Sequence, residues 1–213
     1  ESHHFLKSLR GSVGDEVWLL DGKGFAYQAR VKKIDNLIVR GSINDSFANF
    51  GENKKSIHLV LGLIKGKRMD LAIEKSVEFG VKSIHPVLFE RSIKKTLNFG
   101  RLSKVITSSA KQTGRSIFPE LKKILRFPDW IKKYENNDAF ACHFSGKSKI
   151  KNIVNLKTDD IMIIVGPEGD FSASEIALLN ASKVPLVNLG PRRLRTESAC
   201  ISSILTTSDV IEG

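Results

Sequence analysis

From Ile57 onward, apolar runs of strand length alternate with segments whose apolar residues recur every three or four positions, and this alternation limits the fold more than any other feature. Ile57 to Ile64 reads as a strand. Met69, Ala72, Ile73 and Val77 then mark one face of a helix that Gly80 stops, and Ile84 to Phe89 is the next strand. Leu102, Val105, Ile106 and Ala110 repeat the helical spacing as far as Gly114. Ala139 to Phe144, Ile161 to Val165 and Leu186 to Leu189 read as further strands, with helices over Ser174 to Ala181 and Glu197 to Ile211. Strands that alternate with helices predict a mostly parallel α/β sheet, because parallel neighbours need crossovers and the crossover helices cover both faces.

The first fifty residues obey a different rule. Between Asp15 and Ile43 the pattern alternates every second residue, with Phe25, Tyr27, Ala29 and Val31 on one side and Gln28, Arg30 and Lys32 on the other. Asp21-Gly22-Lys23-Gly24 and Asp35-Asn36 have hairpin turn chemistry, so several short strands are expected to close into a small β-barrel. The polar stretch Asn44 to Lys55 breaks the alternation and is the expected boundary, dividing the chain into domains 1–52 and 53–213.

The chain carries 34 Lys and Arg against 23 Asp and Glu, a net charge of +11, so a polyanion is the natural partner. No apolar run approaches the roughly 18 residues of a membrane span, and no membrane association is expected. Cys142 and Cys200 stand singly among apolar residues, without metal-ligand or disulfide spacing, and read as packing residues. The chain opens inside what reads as a structured segment, with no basic-then-apolar leader, and a reducing cytoplasm is the expected location.

Two loops carry the chemistry. In the first, the strand ending at Val165 runs into Gly166-Pro167-Glu168-Gly169-Asp170-Phe171-Ser172, whose glycines let the backbone approach a ligand and expose its N–H groups. Ser172 with Glu175 is a capping box, which places a helix start. In the second, Leu189-Gly190-Pro191-Arg192-Arg193-Leu194-Arg195-Thr196-Glu197 joins a strand to the last helix. Three arginines within four residues call for a facing anion, Thr196 reads as the N-cap, and Glu197 suits the positive helix end. Taken alone, either loop also serves as a plain strand-to-helix turn. Ligands in open α/β sheets bind at the carboxyl ends of strands, where both loops lie. Neither matches G-x-G-x-x-G or the P-loop, which disfavours a dinucleotide or nucleoside-triphosphate enzyme.

Gly166-Pro167-Glu168-Gly169, followed by Leu189-Gly190-Pro191-Arg192-x-Leu194-Arg195-Thr196-Glu197, closely resembles the RsmE group of the SPOUT methyltransferases, which methylate N3 of a uridine in 16S ribosomal RNA. Lys65-Gly66-x-Arg68-Met69-Asp70, Glu74-Lys75, Phe89-x-Arg91-Ser92, Lys111-Gln112-x-Gly114-Arg115 and Pro119-Glu120 look like family signatures, in family order. The small β domain resembles the family's PUA-like RNA-binding domain, with His3-His4 and Leu9-Arg10 matching its opening motif. Asp170 stands where the pattern more often has glycine, Lys94 to Arg101 looks shorter than in relatives, and a leading strand is missing.

The resemblance implies a C-terminal trefoil knot that makes a bent pocket for S-adenosylmethionine. Its walls would be Cys142, His143 and Phe144 from one strand end, then Val165, Gly166, Pro167, Glu168 and Gly169. The second loop would add Leu189, Gly190, Leu194, Thr196 and Ala199. Arg195 would face negative charge developing on the uracil, and Glu197 or water would take the N3 proton. Arg10, Lys65, Arg68, Arg91, Lys111, Arg115 and Arg192 would contact RNA phosphates. The family also implies a homodimer with the last helix near its interface, acting on 16S RNA in the small ribosomal subunit. His58 and His85 read as satisfied core histidines, and no metal site is expected. A non-enzymatic RNA-binding or ribosome-assembly protein would explain the charge and the small β domain, but not the two glycine loops. An unrelated nucleotide-using enzyme would instead bind NAD or ATP.

Overall fold

The computed structural model describes residues 2–7, 10–135, 137–155 and 157–213; Leu9 and the side chain of His4, both in the expected opening motif, lie outside the described residues. The chain packs as two compact units, Glu1–Glu52 with Lys111–Phe118, and Asn53–Ala110 with Pro119–Gly213.

In the first unit a short helix α1 (Ser2–Lys7) precedes an antiparallel meander of β1 (Glu16–Leu20), β2 (Phe25–Asp35) and β3 (Ile38–Ala48), in the order β1-β2-β3. Both expected turns are present. The Asp21 carboxylate accepts the N–H groups of Phe25, Lys23 and Gly24 at 3.0, 2.7 and 3.1 Å, and these bonds hold it below the usual carboxylate range. Asn36 takes the left-handed conformation, φ 54°, between β2 and β3. Two expectations need correction. The strand β3 continues through Asn44 to Ala48, because hydrogen bonding to β2 persists across two bulges while the side chains stay wet. The expected barrel is not formed by the described residues, since three strands in this order leave β1 and β3 as edges.

The segment Lys111–Phe118 belongs to this first unit, so the boundary after Glu52 is accompanied by a second passage of the chain. Gly24 N–H donates to the Ser116 carbonyl at 3.0 Å and Phe118 N–H to that of Gly22 at 3.1 Å. Within this segment Arg115 is 1% exposed, its guanidinium ion-paired with Glu52, whose other oxygen accepts the Ile117 N–H at 2.9 Å. The expected phosphate contact by Arg115 is therefore corrected: a buried guanidinium already paired with a carboxylate is not offered to RNA.

The second unit is built on a seven-stranded, all-parallel sheet. Along the chain come β4 (Ser56–Gly62), α2 (Gly66–Glu78), β5 (Val81–Leu88), α3 (Phe99–Gln112), β6 (Glu120–Leu121), β7 (Leu125–Arg126) and α4 (Phe127–Lys133). They are followed by β8 (Asp138–Cys142), β9 (Asp160–Val165), α5 (Ala173–Ala181), β10 (Leu186–Val187) and α6 (Thr196–Glu212). The order is β10-β8-β9-β4-β5-β6, with β7 also pairing with β5. Central β4 and β9 are covered on both faces, which is why they read as unbroken apolar runs: Leu59, Val60, Leu61, Ile163 and Ile164 are fully buried. The helix α2 buries Met69, Ala72, Ile73 and Val77, the face its spacing predicts.

The capping box of α5 is present, with Ser172 accepting from the Glu175 N–H and Glu175 accepting from the Ser172 N–H. At α6 the expectation fails. Arg195, not Thr196, occupies the N-cap and makes no side-chain cap bond, since a guanidinium has no acceptor to offer; Thr196 is the first helical residue, and its hydroxyl donates to the Gly166 carbonyl at 3.1 Å. His58 and His85 are satisfied core histidines, as expected. They belong to one hydrogen-bonded chain, Asp160–His58–Ser83–His85–Trp130, that joins β9, β4, β5 and α4.

Candidate active site

Because β10, β8 and β9 are parallel neighbours, their carboxyl ends lie side by side and their loops converge. A cleft of about 370 Å³ opens there. One wall is Cys142, His143 and Phe144, where β8 ends. The second is Val165, Gly166, Pro167, Glu168 and Asp170, where β9 ends. The third comes from the chain between β10 and α6: Asn188, Leu189, Gly190, then the arginines 192, 193 and 195 with Leu194, and finally Thr196 and Ala199. Arg68 reaches in from the first turn of α2. Every residue expected to hold the cofactor therefore lines one cleft except Gly169.

Sterics explain that exception and the loop's course. A Cβ on Gly169 would stand 2.8 Å from the Cβ of Arg91, so this glycine gives the loop room behind the cleft. Arg91, expected on RNA, donates from Nη1 to the carbonyls of Gly169 and Phe171 at 3.2 Å each and buttresses the same loop. At the end of β4, a Cβ on Gly62 would stand 2.4 Å from the Pro167 nitrogen, so the loop lies directly on the strand end. Asn188, which sequence reasoning missed, ties the other walls together. Its Nδ2 donates to the Phe144 carbonyl at 2.6 Å and its Oδ1 accepts the Gly190 N–H at 2.7 Å. The expected strand ran on to Leu189 and took Asn188 into it, whereas β10 ends at Val187 and leaves Asn188 as the first residue of the turn.

The cleft mixes apolar walls with charge. Four guanidinium groups, on Arg68, Arg192, Arg193 and Arg195, share it with the carboxylates of Glu168 and Asp170. Arg193 lies over the half-exposed Phe144 ring, 5.8 Å from its centroid. Asp170 holds the left-handed conformation at φ 63° and places a carboxylate oxygen 3.5 Å from His143 Nε2, while His143 Nδ1 lies 2.7 Å from the Ser145 hydroxyl. Burial pushes the Cys142 thiol up to about 12, so it stays neutral and acts as an apolar wall.

Other expected residues lie elsewhere. Glu197 does not line the cleft; it is buried, and its Oε2 has no hydrogen-bond partner among the described residues. Its Oε1 is 3.9 Å from Arg68 Nε, and Arg68 Nη1 is 3.5 Å from Glu168 Oε1. Lys65 is exposed immediately before α2, and Arg10 and Lys111 are exposed in the first unit; none of the three lines the cleft.

A family model for an RNA methyltransferase domain matches residues 51–208, and a model for the RNA methyltransferase PUA domain matches residues 1–41. A Rickettsia conorii relative called ribosomal RNA small subunit methyltransferase E is 30% identical over 207 residues, covering 94% of this chain and 84% of the relative. The chain belongs to the ribosomal RNA small subunit methyltransferase E family. A Buchnera aphidicola relative of the same name is 29% identical over 209 residues, covering 95% of this chain and 82% of the relative. Among solved structures, the methyltransferase E of Neisseria gonorrhoeae, crystallised with S-adenosylmethionine, superposes with a TM-score of 0.88 at 28% identity, covering 98% of this chain and 88% of that one. The parallel α/β unit is thus the methyltransferase domain of this family, and the N-terminal segment carries its PUA domain.

Proposed function

We propose that this chain transfers the methyl group of S-adenosylmethionine to N3 of a uridine in 16S ribosomal RNA, and that the cleft between the three strand-end loops is where it does so. The observation that carries this reading is convergence: residues far apart in sequence, from Cys142 to Ala199, meet in one cleft. The cleft suits the cofactor's chemistry. Val165, Leu189, Leu194 and Ala199 offer apolar contact for a nucleoside, the glycine turns offer backbone groups, and carboxylates and guanidinium groups stand ready for an amino acid's opposite charges. When bound, S-adenosylmethionine supplies a methyl group on an electron-poor sulfonium.

The chain's own task is to make uridine N3 a nucleophile. As the N3–H bond breaks, negative charge spreads to the flanking uracil oxygens, and Arg195 is the guanidinium assigned to it, an electrostatic role of the oxyanion-hole kind. Glu197 is withdrawn as proton acceptor, since it is buried outside the lining, and the proton goes to water. Arg10, Lys65, Lys111 and Arg192 are exposed and remain the proposed phosphate contacts.

The same reading includes a trefoil knot, a homodimer, action on the small ribosomal subunit, and a cytoplasmic location where ribosomes are assembled. Support for the dimer is α6, where Ile204 and Ile211 belong to the core but Leu205 is 43% exposed.

The test is methylation of 16S RNA with labelled S-adenosylmethionine, followed by mass spectrometry of the product nucleoside. N3-methyluridine is expected, and another methylated nucleoside, or none, overturns the reading. In single-turnover assays Arg195→Ala is expected to slow transfer about 100-fold or more, as loss of an oxyanion-type donor does; an unchanged rate removes Arg195 from that role.

A further inference from the structure

Glu197 presents an unresolved feature. A carboxylate on a side chain nine-tenths buried, with one oxygen unpartnered among the described residues, is costly to keep unless its charge serves a neighbour. It follows the cleft-lining Thr196 at the start of α6, and among the described residues a cation within ion-pair range is Arg68, on α2. Arg68 has a second carboxylate within range, Glu168 on the loop after β9. One guanidinium thus touches three pieces of the cleft, the start of α2, the first glycine loop and the start of α6, and adds charge to a junction where the Thr196 hydroxyl already holds α6 to the Gly166 carbonyl. A guanidinium suits this work because it is planar and presents donors along two edges, so Nη1 addresses Glu168 while Nε faces Glu197.

We infer that Arg68 is a positioning residue that fixes the two loops at the spacing S-adenosylmethionine needs, and that Glu197 acts through Arg68 and not as a proton acceptor. This rests on the proposed use of the cleft for S-adenosylmethionine. It reassigns Arg68 from a phosphate contact to the cleft itself. Arg68 is half-exposed, as Lys65 is exposed, but it differs in having carboxylates on two sides that compensate part of its charge and hold it towards the cleft. It also accounts for burial of Glu197. A general base must reach the proton it takes, whereas a positioning carboxylate needs only to reach its arginine.

A double-mutant cycle tests this. The affinity for S-adenosylmethionine would be measured by calorimetry for the wild type, Arg68→Met, Glu197→Gln and the double variant, with thermal unfolding of each. Met retains the aliphatic stem of Arg68 and removes only its charged head. Each single change is expected to weaken binding about three- to tenfold, and the double variant no more than Arg68→Met alone, because that change already removes the contact with Glu197. Fully additive losses overturn the coupling, and so does wild-type affinity in either single variant. The pH profile of single-turnover transfer at saturating cofactor separates positioning from base catalysis. Glu197→Gln is expected to keep the wild-type profile shape, and loss of the acidic limb in that variant would make Glu197 the proton acceptor and overturn the assignment. Should Arg68→Met not fold, Arg68→Lys is the second variant, since a single ammonium cannot address both carboxylates; wild-type affinity there overturns the proposal. Absence of S-adenosylmethionine binding by the wild type would remove the proposed function and this inference together, whereas unaltered binding in the variants removes the inference alone.

Discussion

Gly62 shows how much of the site is decided by a single missing methyl group. It ends β4, and its absent Cβ leaves space into which Pro167 and the carbonyl carbon of Gly166 pack; a Cβ would stand 2.4 and 2.8 Å from them. Both are backbone or ring-bound atoms, so no side-chain rotation can relieve the clash. Gly62→Ala is therefore expected to displace the first loop, destabilise the protein by about 1–3 kcal/mol, and weaken S-adenosylmethionine binding at the same time. Calorimetric titration with thermal unfolding checks this, and a variant that loses neither stability nor affinity would show that the loop does not rest on the strand. Nothing in the sequence marks Gly62 out, because the residue it accommodates lies a hundred positions further on. The same limit explains Thr196 and Arg115. Thr196 has the right chemistry for an N-cap, but a carbonyl from the other loop takes its hydroxyl. Arg115 sits in a basic stretch, yet Glu52 claims it. Residue type gives a group's capacity, and the fold chooses which partner uses it.

Elements were more legible than residues. Each long strand and helix of the methyltransferase unit has its counterpart in the periodicity, because burial on one face or both imposes its own spacing. The two-residue strands β6 and β7 were not foreseen, since a pair of residues has no period. The helix α4 was missed as well, although Pro128 and Asp129 in its first turn are start signals and it buries Phe127, Trp130 and Ile131. The α5 capping box illustrates a local rule that survives folding intact. Beyond closing the helix end, its Glu175 accepts the Glu90 N–H at 2.7 Å, so the same carboxylate that begins α5 also anchors the chain after β5. Ser172→Ala is expected to cost about 1 kcal/mol from the lost cap. Glu175→Ala is expected to cost more, since it leaves one buried and one part-buried N–H group without their acceptor. Chemical denaturation of the two variants checks the order, and equal losses would mean that the link to Glu90 adds nothing.

At the scale of the whole molecule, the sheet order β10-β8-β9-β4-β5-β6 is the part the sequence does not carry in its periodicity. Which non-consecutive strands pair is decided by contacts between distant segments. The chain Asp160–His58–Ser83–His85–Trp130 is such a set of contacts, and it makes stability depend on pH. Trp130 Nε1–H donates to His85 Nδ1 at 3.2 Å, so the proton of neutral His85 is on Nε2 and faces the Ser83 hydroxyl at 2.7 Å. That hydroxyl can then donate to His58 Nδ1 at 2.6 Å, and His58 Nε2–H to Asp160 at 2.8 Å. Protonating His85 would set an N–H against the indole N–H. Burial, with His58, Lys122 and Lys133 nearby, lowers its pKa from 6.5 to about 3. The sign follows. Above pH 6.5 both folded and unfolded chains keep this imidazole neutral, whereas below it the unfolded chain binds a proton that the folded chain refuses. The stability His85 contributes is thus complete above pH 6.5 and is lost as pH falls towards 3, at up to about 1.4 kcal/mol per pH unit. His85→Gln is expected to flatten the fall in unfolding free energy between pH 6 and 4 by close to one proton's worth of slope. If the variant and the wild type fall in parallel across that range, the buried chain is not what makes the sheet sensitive to acid.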